Sequence, residues 1–348
     1  MDIHGLDRLP KVEIHLHLEG SVEPSDLQAL ARRNHLPDEL WSLNAFEEKY
    51  RYADFAGFLG SFKFITEHLI TPADYGWIAT QLIDRLHHMQ VLYAEIFVSA
   101  GVVLKQKKDL DAVVDAITTA SREREEQTGI RVNWILDVTR QFGVEFAERV
   151  AEAAVRYRES GLDNIVGVGM GGDENSFPAH EFKHVFDEAR RHGLHVTIHA
   201  GEVAGPQSIW EAIEVLGAER IGHGIAARLD ERLMNHLKAR SLPLECAPTS
   251  NLCTGVIQRI EDHPLKMFYE HGLRVTLNTD DPALFHTDLL REYRQAATHF
   301  QLTPRDFAQF NRNAIEGCFA GPSEKMEVLR LFEERLRGLE NAQEVNGG

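Results

Sequence analysis

An amphipathic helix, a glycine that ends it and a short β-branched strand recur along this chain, and few folds admit that alternation. The joints are Gly129 before Val132 to Thr139, Gly161 before Ile165 to Met170, Gly193 before His195 to His199, Gly217 before Arg220 to His223, and Gly272 before Arg274 to Thr279. Glycine suits each joint because the residue after a helix often needs a left-handed backbone. Val12 to Leu18, Tyr93 to Ser99 and Leu244 to Ala247 bring the candidate strands to eight. Eight strands separated by helical periodicity, as in Phe182, Val185, Phe186 and Ala189, predict an α/β fold, a closed parallel (β/α)8 TIM barrel.

The long gap between the first and second strands carries helix signals of its own. Thr71-Pro72-Ala73-Asp74 is a cap residue, a first-turn proline and an acidic third position, followed by Ile78, Leu82, Leu86 and Met89. Residues 20–90 are therefore read as a helical insertion after the first strand, packed over one end of the barrel as a lid. Extra helices are expected over 286–340. Residues 1–340 form a single barrel domain in this reading, and the polar tail 341–348 is expected to fray. A doubly wound sheet would want GxGxxG after the first strand, whereas HLHLEGS has one glycine.

Charge narrows the partners. The chain has 37 Lys plus Arg against 54 Asp plus Glu, a net of −17, and that field repels a phosphate backbone, so no nucleic-acid partner is expected. Met1 to Val12 contains Asp2, Asp7, Arg8 and Lys11 and no apolar run, which predicts neither a signal peptide nor a membrane span. Cys246, Cys253 and Cys318 show no CxxC spacing and fit reduced thiols, so a cytoplasmic location is expected.

Chemistry-bearing residues collect at the C-terminal ends of the strands, where barrel enzymes assemble their sites. His15 and His17 lie two apart on the first strand and so share its inward face. His199 closes the fifth strand, His223 the sixth, and Asp280 with Asp281 the eighth. Three imidazoles and one carboxylate suit Zn²⁺ with a position left for water, so His15, His17, His199 and Asp280 are the expected ligands. One zinc per chain is expected, because the fourth strand, IVGVGMGGDE, offers no lysine to bridge two metals. Glu202, three residues after His199 in HAGE, is placed to shuttle protons. His223, between glycines in IGHG, is assigned to orient and activate the attacking water. His35, His68, His87, His88, His180, His184, His192, His236, His263, His271 and His299 lie in helices or loops and are expected to be solvated.

HLHLEG, GGDE, HAGE, HGI, PTSN and NTDDP, in this order, resemble the adenosine deaminase family of the metal-dependent amidohydrolases. The resemblance spans residue 10 to about residue 300 and implies a hydrolase that removes the exocyclic amine of a 6-aminopurine nucleoside, adenosine to inosine plus ammonia as first choice, in purine metabolism. It repeats the zinc set above and implies Glu202 as the acid at purine N1, with His223 beside the water. It adds Asp281 as the partner of N7 and the Gly172 N–H opposite N3. His17 and Glu19 fall on the substrate side, and Glu19 stands where many adenosine-specific members carry the aspartate that meets the ribose 5′-hydroxyl. Adenine-specific relatives also carry glutamate there but lack GGDE, and relatives acting on aminodeoxyfutalosine, which has an aryl extension at the 5′ end, carry HLEG. Those two substrates are the alternatives. A catalytically silent binding protein is the reading from another class, against which every ligand and the proton shuttle are retained. Zinc nucleobase deaminases of the other fold need HxE with PCxxC, and this chain has neither.

Overall fold

Short runs, most of them rich in branched aliphatic residues, become eight strands: β1 (Lys11–His17), β2 (Val91–Val98), β3 (Arg131–Thr139), β4 (Ile165–Gly171), β5 (His195–Ala200), β6 (Arg220–His223), β7 (Leu244–Cys246) and β8 (Val275–Leu277). The computed structural model describes residues 5–37, 43–52, 55–175 and 177–346. All neighbouring strands pair in parallel in the order β1 to β8. A bridge between Leu16 and Asp280 brings the end of the sheet back to β1, giving the nearly closed (β/α)8 barrel that the alternation predicts.

Helices form where the sequence supplies caps. Thr71 Oγ1 accepts from the Asp74 N–H and Asp74 Oδ2 from the Thr71 N–H, with Pro72 opening the helix Pro72–His88. Gly129 ends the helix Leu110–Thr128 at φ +73°. The insertion is helical as expected, with Pro24–Arg33, Leu43–Lys49 and Phe55–His68 preceding Pro72–His88. Residues 38–42, 53 and 54 of it lie outside the described residues. After β8 come Leu289–Phe300, Pro304–Gly317 and Pro322–Asn346. In the second of these, Asn311 accepts from the Val12 N–H at 2.7 Å and Asn313 donates to the Val275 carbonyl at 2.8 Å, tying β1 to β8 where the ring meets. The last helix continues past Asn341, where fraying is expected, to Asn346. That stretch has no proline or glycine to stop it, and residues 347 and 348 lie outside the described set.

One feature differs from the sequence expectation. β8 ends at Leu277, and Asp280 sits three residues beyond it at φ +67°, donating its N–H to the His15 carbonyl and accepting from the His17 N–H. The barrel interior is also more polar than the branched aliphatic filling usual for the fold. Buried Arg220 lies between Glu95 and Glu245, with 2.5 Å from its Nε to Glu245 Oε1. Cys246 and Cys318 are buried and Cys253 is half-buried, all three as free thiols. Among the described residues no helix is long and apolar enough to cross a membrane.

Candidate active site

Because side chains alternate along β1, His15 and His17 both enter the barrel, and β5, β6 and the turn after β8 bring His199, His223 and Asp280 to meet them. Ligand atoms of His15, His199, His223 and Asp280 all lie within 4.8 Å of one another. His17 Nε2 lies 3.3 Å from Asp280 Oδ1 and 3.3 Å from His199 Nε2, so the fifth side chain faces the same point. His223 and Asp280 both hold positive φ, an uncommon conformation for residues with a side chain and one that collects at functional sites.

The donor set fits a metal ion. His15 Nδ1 is held by Glu245 at 2.6 Å, which aims Nε2 at the centre of the cluster, where it is buried without a hydrogen-bond partner. A ligating imidazole anchored through its other nitrogen to a carboxylate is the usual support for a metal-binding histidine. Burial disfavours charge on His15, yet Asp280 and Glu245 outweigh it and push the ring up to about 10, so the site draws positive charge to this point. Ser250 Oγ donates to Asp280 Oδ2 at 2.6 Å, fixing the carboxylate.

Glu202 faces this cluster from the loop after β5. Its Oε1 accepts from Asn251 Nδ2 at 3.0 Å, and its Oε2 lies 3.6 Å from His223 Nε2. Burial raises its pKa, favouring the protonated acid. Glu174 organises the loop: one carboxylate accepts the backbone N–H groups of Gly201, Glu202, Val203 and Ala204, at 2.5 to 3.1 Å, and the Ser208 hydroxyl at 2.6 Å. Asn251 also lies 3.2 Å from His223 Nδ1 and from His263 Nε2. His263, expected in solvent, is therefore buried. It accepts the Leu265 N–H on Nδ1, and burial holds it down at about 3, so it is a neutral prop for Asn251.

A cavity of about 480 Å³ opens from the cluster, within the range of small-molecule sites. Its lining includes Asp281, Asp137, Gly171 and Gly172. Asp281 Oδ1 has no hydrogen-bond partner, and its pKa is raised by burial and by the neighbouring Asp280. A Cβ on Gly20 would come within 1.7 Å of that oxygen, so HLEG needs its glycine to make room for Asp281. Gly172, at φ +100°, packs so closely on Gln141 that a Cβ would fall 2.1 Å from Oε1. Glu19, expected at the sugar, is fully buried; it accepts from the Ser99 N–H at 3.0 Å and from the Ser99 hydroxyl at 3.2 Å, and Ser99 itself lines the cavity. Burial pushes its carboxyl up to about 7.

Sequence reasoning passed over Glu174, Glu245 and Asp137. The first lies in GGDE; the other two are the single acids of their strands, a signal open to reading.

A sequence model of the adenosine deaminase family matches residues 10–334. The chain is 36% identical over 330 residues to an aminodeoxyfutalosine deaminase of Streptomyces coelicolor, covering 94% of this chain and 84% of that one. It is 34% identical over 332 residues to an adenosine deaminase of Edwardsiella ictaluri, covering 93% and 97%. The crystal structure of an adenine deaminase from Arthrobacter aurescens superposes with a TM-score of 0.88 at 28% identity, covering 94% of this chain and 99% of that one. With the family pattern running almost end to end over a barrel whose strand ends carry this cluster, the chain belongs to the adenosine deaminase family of the amidohydrolase superfamily, hydrolases that act on C–N bonds and deaminate purines.

Proposed function

We propose that this enzyme deaminates a 6-aminopurine nucleoside, with one zinc ion held by His15, His17, His199 and Asp280. The observation that carries the reading is that Glu202, His223 and Asp281 line one cavity together with members of the metal-fitting cluster. A bound zinc ion would supply Lewis acidity and lower the pKa of water toward neutrality. Glu202 protonates purine N1, making C6 electrophilic; as carboxylate it then takes up a proton released by the attacking water and passes it to the amine, which leaves as ammonia. His223 orients the attacking water. Purine N7 is only an acceptor, so Asp281 must donate to it as the neutral acid, in keeping with its raised pKa. The Gly172 N–H is assigned to N3. In this reading residues 1–340 act as one barrel domain, with the insertion as a lid over the cavity.

Replacing Gly20 by Ala tests the N7 contact. The added carbon displaces Asp281, and losing one buried hydrogen bond at roughly 1–3 kcal/mol should lower kcat/KM about 5- to 150-fold. Unchanged kinetics would remove Asp281 from the purine.

Ribosides should beat free adenine by at least about tenfold in kcat/KM, or ~1.4 kcal/mol, because a cavity of about 480 Å³ leaves room for a sugar beside the purine. Within ribosides, adenosine is the first choice from sequence, and a second reading is favoured by the outer cavity. Phe58, Phe62 and Phe142 line it together with Lys63 and Lys105, a wall suited to an aromatic, anionic 5′ extension. With Glu19 turned into Ser99, that reading points to aminodeoxyfutalosine, the substrate named for the Streptomyces relative. Ammonia release across adenine, adenosine, methylthioadenosine and aminodeoxyfutalosine ranks these substrates. Adenine faster than every riboside would overturn the nucleoside reading.

A further inference from the structure

Asp137, on the inward face of β3, is a buried acid with no evident structural task. It lines the cavity, is only 6% exposed, and its Oδ1 has no hydrogen-bond partner. Burying an unpaired polar group costs stability, so a fold retains one where something else repays that cost. The neighbouring strand makes room for it. Gly169 pairs with Asp137 across the β3–β4 register, and a Cβ there would fall 2.8 Å from Oδ1. A Cβ on Gly171 would lie 3.4 Å from Asp137 Oδ2 and 3.5 Å from His199 Nδ1. Asp137 therefore stands on the side of His199 that carries Nδ1, whereas Nε2 is the nitrogen directed at His17 and the cluster. It is also outside the group of mutually close metal-ligating atoms.

We propose that Asp137 is a specificity-determining substrate residue, accepting a hydrogen bond from a ribose hydroxyl. The assignment rests on the nucleoside reading above. A 6-aminopurine nucleoside offers two kinds of donor, the exocyclic amine and the sugar hydroxyls. The amine must lie with Glu202, His223 and Asp280, whereas Asp137 stands on the Nδ1 side of His199, outside that cluster. The hydroxyls are the donors left for Asp137.

The test compares adenosine, its 2′-, 3′- and 5′-deoxy analogues and adenine on the parent enzyme, Asp137→Ala and Asp137→Asn, each loaded with Zn²⁺. In the parent, removing the hydroxyl that Asp137 holds should lower kcat/KM at least about tenfold. Asp137→Ala should bring adenosine down to the level of that analogue while changing the analogue and adenine less than about threefold, and Asp137→Asn, which still offers an acceptor, should recover much of the loss. Thermal stability adds a readout that a purely structural role would move the other way: Asp137→Ala should melt at or above the parent's Tm, because an unpaired buried acid has been removed. Uniform loss across all substrates, a lower Tm with unaltered substrate ratios, or no kinetic change would each overturn the assignment to Asp137 and leave the nucleoside reading standing. A parent enzyme active on adenine and on no riboside would overturn that reading, and this one with it.

Discussion

Glu202→Gln is expected to lower kcat by about 10²- to 10⁴-fold while leaving metal content and substrate affinity close to the parent's. The environment of this side chain is the reason. Asn251 donates to Oε1 at 3.0 Å, Thr254 Oγ1 lies 3.4 Å away, and the loop beneath is clamped by Glu174, so glutamine keeps the shape and the Asn251 hydrogen bond. It loses only the exchangeable proton. Burial raises the Glu202 pKa, so the acid form persists to higher pH than an ordinary carboxyl would allow, and kcat should fall as pH rises through that raised value. Glutamine has no such proton at any pH. The measurement is steady-state kinetics with metal analysis on the same samples. A variant running near the parent's rate would remove Glu202 from proton transfer.

Much of the fold can be read from local signals, because each helix, glycine and strand announces itself within a few residues. All eight strands overlap their expected positions, and the Thr71 cap forms as its sequence implies. The end of β8 could not be read that way. Its ladder stops at Leu277, and Asp280 is held instead by backbone hydrogen bonds to His15 and His17, hundreds of residues earlier in the chain. Residues that prop the site escaped for the same reason. Glu245 is recognisable only through His15, 230 positions away, and His263 reads as a loop histidine until Asn251 is seen against it. Glu19 sits beside His17 in sequence, but its hydrogen bonds run to Ser99, a cavity-lining residue 80 positions away that no local signal connects to it.

The second large effect is expected from the metal. Purified enzyme should carry about one zinc per chain, chelation should abolish turnover, and added Zn²⁺ should restore it. His199→Ala should lose the metal outright, since it removes one corner of the cluster. Glu245→Gln is the more discriminating variant. It touches no substrate and contributes no ligand, yet it holds His15 Nδ1 at 2.6 Å, and loss of such a supporting carboxylate typically weakens metal binding 10- to 100-fold. The proton balance gives an independent check. Asp280 and Glu245 hold the His15 ring up at about 10 against burial, so His15 must give up a proton to become a ligand. Zinc binding near pH 7 should therefore release protons, and affinity should fall as pH is lowered, because protons compete for the same nitrogen. Two tightly held metals per chain, full activity after exhaustive chelation, or zinc uptake with no proton release would each contradict a single ion seated on His15.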